Sequence, residues 1–383
     1  MHHLAGDESS LGGALASPPS PFDLRGWMLD SRVTLSVVRT ALCIVIPACS
    51  ATGPVAEHWV RLGPDGMWVT ALAQTDWGLF AGTRNNGVFL YHSETADWEP
   101  LGLSSSQVGC MLYLPGDRPK LLVGMVWRGT EPTEAAVFAT EDGGETWVPS
   151  DGGLASSVGG YFWAHSLGLD PNNADRVYMG GPYSLLRSDD GGSTWEFVYG
   201  NSDQIGLGIR SISVSPHADR SVWAGGQSSL GVGPIFRSLD SGASWDVLFP
   251  APRHEVAIEA VLVDHQRQNR VWAGLLGTVD GGSVLYSDDR GETWETSLRE
   301  PLQTPALVYI NETLYAVARQ FVESDLTTGR PYYRLRLFHL QDGSDSWQSI
   351  PAPESWGGWS ATADENGDLI VGTMGSGVWR YSP

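Results

Sequence analysis

Lysine is almost missing from this 383-residue chain. Lys120 is the only lysine, and 23 basic residues stand against 44 acidic ones, which gives a formal net charge of −21. A protein that binds nucleic acid needs a stripe of basic residues to neutralise phosphates. The composition therefore argues against nucleic acid as a partner.

Cysteine and helical periodicity are scarce as well. The three cysteines, Cys43, Cys49 and Cys110, provide neither a disulfide framework nor Cys/His metal spacing, and we expect no metal or other cofactor. No convincing amphipathic helix is present. Short alternating or β-branched runs punctuated by Gly, Asn, Asp and Pro predict an all-β fold, in which Cys110 is a buried, inert thiol on a strand.

What the chain does contain is a recurring octapeptide, Ser/Thr-x-Asp-x-Gly-x-Thr/Ser-Trp. Four good copies end at Trp147, Trp195, Trp245 and Trp294, and two decayed copies end at Trp98 and Trp347. Consecutive tryptophans of this series are 48 to 53 residues apart. A period near 50 with several short strands per unit is the signature of β-propeller blades.

Each residue type in the octapeptide suits a tight turn between two strands. The aspartates Asp142, Asp190, Asp240 and Asp289 can accept backbone N–H bonds inside the turn. The glycine two positions later tolerates backbone angles that cost other residues more. The tryptophan then opens the next strand and offers an apolar face to the neighbouring blade. We therefore interpret these turns as structural rather than as calcium sites, since none has the acidic ladder of an EF-hand loop.

The octapeptide resembles the Asp-box (BNR) repeat of sialidases, xyloglucan-degrading glycosidases, sortilin-type receptors and photosystem II assembly factors. The resemblance covers roughly residues 90 to 350. It implies a β-propeller in which the boxes lie on the rim, away from the ligand face, and it does not choose among the activities of those proteins.

The two ends of the chain predict how the propeller closes. The segment Leu369–Ser382 matches Leu79–Ser93 but lacks an outer strand, and residues 58–62 look like such a strand without its box. We predict a single seven-bladed propeller of four-stranded antiparallel blades over residues 54–383, in which this N-terminal strand completes the last blade and covers two sheet edges.

Residues 1–53 are predicted to be a disordered extension that includes a signal-like segment. Arg32 and Arg39 precede the short apolar run Ala41–Ile46 and the small residues after it, which is typical of a secretory signal. The run is too short to span a bilayer. Ile46-Pro47-Ala48-Cys49 also resembles a bacterial lipobox, with Cys49 as the lipidated residue; ordinary cleavage and secretion is the alternative.

Alignment of the predicted inner strands places one residue per blade near the central channel. These positions are Val69, Gly109, His165, Arg210, Glu259, Pro305 and Trp359. His165, Arg210 and Glu259 are its ionisable members and come from three adjacent blades. They form either a ligand site or merely a paired, hydrated channel lining.

Aromatic residues are expected on the same face, among them Trp163, Tyr183 and Trp359. Beside carboxylates they suit sugar rings, and simple packing between blades is the alternative for each of them. Glycoside hydrolysis would need a second carboxylate facing Glu259, with Glu255, Asp203, Asp280 or Asp325 as conceivable partners.

We therefore predict an extracytoplasmic, monomeric propeller that binds a protein or carbohydrate ligand at the channel mouth in a non-catalytic scaffold or assembly role. Membrane association would come only through a lipid anchor on Cys49. The alternative is a glycoside hydrolase with Glu259 as acid/base, and peptide capture of the sortilin type is a third possibility.

Overall fold

The computed structural model describes residues 58–104, 107–126, 135–154, 163–182, 184–200, 207–228, 233–248, 256–324, 331–344 and 346–383. The chain divides into two compact units, Met1–Ser50 and Ala51–Pro383, and every described residue lies in the second. Strands account for all of the regular secondary structure in these ranges, and none of their residues belongs to a helix. The all-β prediction is therefore confirmed for this part of the chain, and it holds no helix able to cross a membrane.

The strands form antiparallel sheets in which neighbours in sequence are neighbours in space. The first three sheets contain β2 (Val69–Thr75), β3 (Gly78–Thr83), β4 (Val88–His92), β5 (Asp97–Pro100); β6 (Gln107–Leu114), β7 (Lys120–Val126), β8 (Val137–Thr140), β9 (Val148–Pro149); and β10 (Ser166–Asp170), β11 (Asn173–Gly180), β12 (Ser184–Ser188), β13 (Glu196–Gly200).

The following sheet contains β14 (Leu207–Val214), β15 (Val222–Ser228), β16 (Ile235–Ser238) and β17 (Asp246–Leu248). An eight-stranded sheet then combines β18 (Ala257–Val263), β19 (Val271–Val279), β20 (Gly282–Ser287), β21 (Glu295–Leu298) with β22 (Gln303–Ile310), β23 (Thr313–Ser324), β24 (Pro331–Gln341), β25 (Gln348–Ile350). The single pair Leu276 and Gln303 joins its two halves, each of which has the four-strand order of the other sheets.

The last sheet unites the two ends of the described chain. It contains β26 (Gly358–Ala363), β27 (Leu369–Thr373) and β28 (Val378–Tyr381), and β1 (Trp59–Gly63) pairs with β28. Trp59 is buried, and its indole Nε1 donates to Pro351 O at 2.8 Å. The predicted N-terminal strand thus occupies the outer position of the sheet formed by the C-terminal residues.

Glycines on the second strands let adjacent sheets approach closely. A Cβ at Gly225 would lie 2.4 Å from Ile258 Cγ2, and one at Gly372 would lie 2.7 Å from Val69 Cγ1. Real side chains cannot pack at such distances. The glycines therefore allow an apolar residue of the next inner strand to rest directly on the backbone, and Val69, Ile370 and Val378 share one buried cluster.

The four good octapeptides fold into the same hydrogen-bonded turn. In the first, Thr146 N and Oγ1 donate to the carboxylate of Asp142 at 2.9 and 2.5 Å, and Gly144 N donates to Thr140 Oγ1 at 2.8 Å. Equivalent bonds surround Asp190, Asp240 and Asp289. The glycines at the fifth position have φ between 83° and 96°, a region that favours glycine.

The box tryptophans bond in two ways. Trp147 donates to Leu101 O at 2.7 Å and Trp195 to Ser150 O at 2.9 Å, so both reach back to the preceding repeat. Trp245 and Trp294 instead donate at 3.1 Å to their own turns, at Gly242 O and Gly291 O.

The decayed box that ends at Trp347 lacks this turn network among its described residues, which leave out position 345. Leu340 replaces the hydroxyl residue, Ser344 replaces the glycine, and the carboxylate of Asp342 forms an ion pair with Arg267 at 3.1 Å. Without this hydroxyl partner, Asp342 forms a contact with a residue outside its own turn.

The turn aspartates predict an acid-sensitive fold. Hydrogen bonds from Thr146, Ser244 and Thr293 and from neighbouring groups lower the pKa of Asp142, Asp240 and Asp289 from 3.8 to about 2. A lowered folded-state pKa adds stability above about pH 4 that is lost as the pH falls toward about 2. We expect the melting temperature of the wild type to fall steeply between about pH 4 and about pH 2. The variant Asp142→Asn/Asp240→Asn/Asp289→Asn should already be less stable at pH 7. Its melting temperature should fall less steeply over the same window.

Thermal melts from pH 7 to pH 2 check this expectation. Asp117→Asn, a change in an exposed turn, is the matched control and should follow the wild-type curve. Equal acid slopes in the wild type and the triple variant would contradict a role of the turn carboxylates.

Candidate functional site

One residue of each blade is predicted from the sequence to lie near the central channel. These positions coincide with irregularities at the start of the inner strands. The register skips one residue in five of these strands, at Thr70, Gly109, Arg210, Glu259 and Trp359. A β-bulge of this kind re-aims a side chain relative to its sheet. Sequence alignment was wrong by one residue in the first strand, because the skipped residue is Thr70 and not Val69, which is fully buried.

Two of the positions predicted to lie near the channel, His165 and Pro305, do not show a one-residue skip in register. His165 directly precedes β10, and its N–H donates to Gly180 O at 2.8 Å. In β22 the register shift spans both Thr304 and Pro305. Each inner strand therefore begins near a shift in its pairing register or, in β10, directly after His165. Residues that are distant in sequence lie at one end of the sheets at these starts.

Glu259 lies between two arginines. Its Oε1 is 3.6 Å from Arg210 Nε and its Oε2 is 3.9 Å from Arg319 Nη2. The side chains of Glu259 and Arg319 are each 6% exposed, whereas that of Arg210 is 36% exposed. Both separations exceed hydrogen-bonding distance, so the carboxylate is enclosed by two cations without being tightly bonded to either.

Arg319 is the site residue that sequence reasoning missed. It lies on β23, the second strand of its unit, where the inner-strand alignment could not find it. Its Nε donates to Gln303 Oε1 at 2.6 Å, and its guanidinium lies 4.5 Å from the ring centre of Trp359 and 5.5 Å from that of Tyr333. Burial lowers the pKa of Arg319. The sequence feature that could have identified Arg319 is its position directly after the apolar run Leu314–Ala318.

His165 is a neutral group in this site. Burial, together with the nearby Arg210 cation, lowers its pKa from 6.5 to about 3. Trp163 Nε1 donates to His165 Nε2 at 2.7 Å, and an imidazole nitrogen that accepts a hydrogen bond is unprotonated. His165 is thus held by Trp163 and carries no charge at neutral pH.

Aromatic rings extend the site beyond Trp359. The rings of Trp359 and Trp68 meet edge to face at 5.3 Å, and the guanidinium of Arg84 lies 4.0 Å from the ring centre of Trp68. The two tryptophans thus lie between Arg319 and Arg84, and each guanidinium contacts one of the rings.

Not all predicted site residues can be placed. Tyr183 and Cys49 lie outside the described residues, as do three of the possible carboxylate partners, Glu255, Asp203 and Asp325. The fourth, Asp280, is exposed in the turn between β19 and β20. The ion pairs of Glu259 in the described ranges involve arginines, and those ranges hold no group of three His, Cys, Asp or Glu side chains suited to a metal ion.

Cys110 lies on β6, as expected, and is half-buried. Burial raises the pKa of its thiol to about 12. A thiol with such a pKa is a poor nucleophile at neutral pH, so Cys110 adds no chemistry to the site.

Comparison with known proteins agrees with the repeat and the fold. The family model for the BNR/Asp-box repeat matches residues 285–296, the turn around Asp289. YCF48 from Cyanidioschyzon merolae superposes with a TM-score of 0.58 over 85% of this chain and 99% of its own, at 13% identity. The chain therefore carries an Asp-box repeat and has a β-propeller fold.

Enzymes are among the proteins similar to this Asp-box chain. An ancestral GH74 enzyme superposes with a TM-score of 0.61 over 84% of this chain and 48% of its own, at 16% identity. An oligoxyloglucan-reducing end-specific xyloglucanase of Emericella nidulans is 26% identical over 183 residues, which are 44% of this chain and 22% of the enzyme. The chain thus spans less than a quarter of that relative, and the identities to the solved structures show the fold alone.

Proposed function

We propose that the described sheets form seven four-stranded blades, with β1 completing the blade of β26, β27 and β28. The two halves of the eight-stranded sheet count as separate blades, since the pair Leu276 and Gln303 alone joins them. The close approach of Gly372 to Val69 supports contact between the last blade and the first. Residues 54–383 would then be one propeller domain behind an N-terminal extension of residues 1–53.

The site favours binding over catalysis. The observation that carries this proposal is the enclosure of Glu259, the best candidate acid/base, between Arg210 and Arg319 with a side chain only 6% exposed. A glycosidase needs two carboxylates that flank the scissile bond. A closed carboxylate held by two cations is better suited to orienting the arginines toward a ligand than to reaching one itself.

We infer that the bulge end of the blades, where Arg210, Trp359 and the neutral His165 lie, binds a protein segment or a glycan. A second structure of YCF48 was determined with a bound D1 peptide, at a TM-score of 0.54 and 17% identity over 85% of this chain. It supports ligand capture by a single propeller of this kind. We also propose an extracytoplasmic location, with or without a lipid on Cys49.

Glycoside hydrolysis is the second candidate. The match to the xyloglucanase of Emericella nidulans favours it, although that match covers 44% of this chain. In this alternative Glu259 acts as acid/base with a partner from a neighbouring loop.

Parallel binding and activity measurements on the full chain distinguish the two proposals. We expect no release of reducing sugar from xyloglucan or other polysaccharides, and specific signals on a combined peptide and glycan array. Arg210→Ala should weaken those signals about tenfold, whereas Arg118→Ala, an exposed change in the turn between β6 and β7, should leave them unchanged. Sugar release that Glu259→Gln abolishes, in a variant that remains folded, would establish the hydrolase instead.

A further inference from the structure

A two-stranded ribbon extends beyond the rest of its sheet at the bulge end. The pairing of β22 with β23 ends at Gln303 and Arg319, but the pairing of β23 with β24 continues as far as Ser324 and Pro331. Phe321 and Val322 on this extension are 55% and 43% exposed. The ribbon therefore presents side chains beside the proposed binding face without burying them in its own blade.

An aromatic corner lies against one strand of this ribbon. Trp356 forms an isolated bridge with Arg334, and its ring meets that of Tyr332 edge to face at 5.0 Å. Gly375 lies next to the same ring, since a Cβ there would be 3.4 Å from it, and Ser376 Oγ accepts a bond from Trp356 N at 3.1 Å. Trp356 is thus held in place, yet it is 39% exposed.

Two arginines without acidic partners flank this corner. Arg334 is exposed, and Arg336 donates from Nη1 to Gln320 Oε1 at 2.8 Å. Neither has a carboxylate within 4.0 Å in the described ranges, whereas Arg176, Arg237 and other rim arginines are paired with aspartates. These two arginines lie on one strand of a chain whose formal net charge is −21.

We propose that Arg334, Arg336 and Trp356 bind an extended acidic peptide. Its carboxylates at alternate positions meet the two arginines, and an apolar side chain packs on Trp356. This inference rests on the proposed function and names its ligand class.

The spacing of the arginines supports a peptide with this pattern. Residues two apart on a strand point to the same face and are separated by about 6.6 Å. Alternate side chains of an extended peptide have the same period, so both arginines can contact carboxylates at once without bending either chain. Opposite charge at such a surface contributes to specificity and to the rate of association.

The apolar surroundings favour a peptide over a carboxylated glycan. Trp356, which is 39% exposed and paired with Arg334, offers apolar area that suits aliphatic or aromatic side chains. Sugar hydroxyls would instead need several hydrogen-bonding side chains around the aromatic ring.

Fluorescence anisotropy with two synthetic peptides tests this proposal on the full chain. One peptide carries glutamates at alternate positions around a central leucine, and the other has the same composition with its glutamates adjacent. We expect tighter binding of the alternating peptide, a loss of about tenfold on Arg334→Glu or Arg336→Glu, and an effect of similar size for Trp356→Ala. Arg118→Glu and Arg299→Glu reverse exposed arginines elsewhere and should leave binding unchanged.

Two results would overturn the proposal. One is equal binding of the two peptides, or binding that does not respond to Arg334→Glu and Arg336→Glu. The other is binding of an oligogalacturonate, used as a carboxylated glycan, without binding of the acidic peptide. If array ligands are lost on Arg210→Ala but not on Arg334→Glu, the proposed function stands and this inference alone fails.

Discussion

Removal of residues 58–62 is expected to lower the melting temperature by about 10 °C or more. These residues contain most of β1, which covers the edge of β28 and buries Trp59 against Tyr381 at a ring distance of 5.0 Å. Loss of a buried tryptophan alone costs about 3–5 kcal/mol, and the deletion also leaves the backbone of β28 unpaired. If β1 closes the ring of blades, the loss exposes two sheet edges at once.

A pair of point variants separates burial from strand pairing. Trp59→Ala is expected to be destabilising by about 3–5 kcal/mol, while Val60→Ala on the same strand, where the side chain is 45% exposed, should change stability by less than about 0.5 kcal/mol. An unchanged melting curve for the deletion would refute the closure of the propeller by β1.

Glu259→Leu is expected to lower the free energy of unfolding by about 3 kcal/mol. The change leaves the buried guanidinium of Arg319 without its carboxylate, and the gain from an apolar residue does not offset an uncompensated buried charge. Stacking on Trp359 at 4.5 Å and the bond to Gln303 keep part of the stabilisation of Arg319, so the protein should remain folded.

A double-mutant cycle with Arg319→Met identifies the cause. We expect the Glu259→Leu/Arg319→Met protein to be more stable than the Glu259→Leu protein, since removal of both charges also removes the unpaired cation. Urea unfolding of the four proteins provides the measurement. Strictly additive losses would show that the pair is not coupled, and the enclosed carboxylate would then lose its role in orienting the arginines.

Together these tests link stability to the proposed site. Trp59 and the glycine contacts hold adjacent blades in position, and that arrangement places Arg210, Glu259 and Arg319 at one end of the sheets. In the function proposed above, this end of the sheets binds a ligand through its cations and aromatic rings, without a catalytic pair.

Much of the fold was predictable because its signals are local. The octapeptide specifies a turn through hydrogen bonds that span only four residues, such as those from Thr146 to Asp142. The short alternating runs also predicted an all-β chain, and strands are the regular secondary structure of the described residues. The pairing of β1 with β28 was also predictable, since the C-terminal repeat visibly lacks its outer strand.

The site was predictable only in part. Alignment of the repeats found Arg210, Glu259 and Trp359. In β14, β18 and β26 the bulged residue lies the same number of positions before the end of the strand. It misplaced Thr70 by one residue, and it could not find Arg319, which reaches Glu259 from a second strand.

The sequence by itself determined the repeat, the all-β class and the turns, since each depends on contacts within a few residues. The tertiary structure alone decided that Glu259 is enclosed by two arginines, that His165 is neutral, and that Arg334 lies beside the exposed ring of Trp356. Those properties depend on distances and burial between residues about 20 to 60 positions apart, which only the packing of the blades sets.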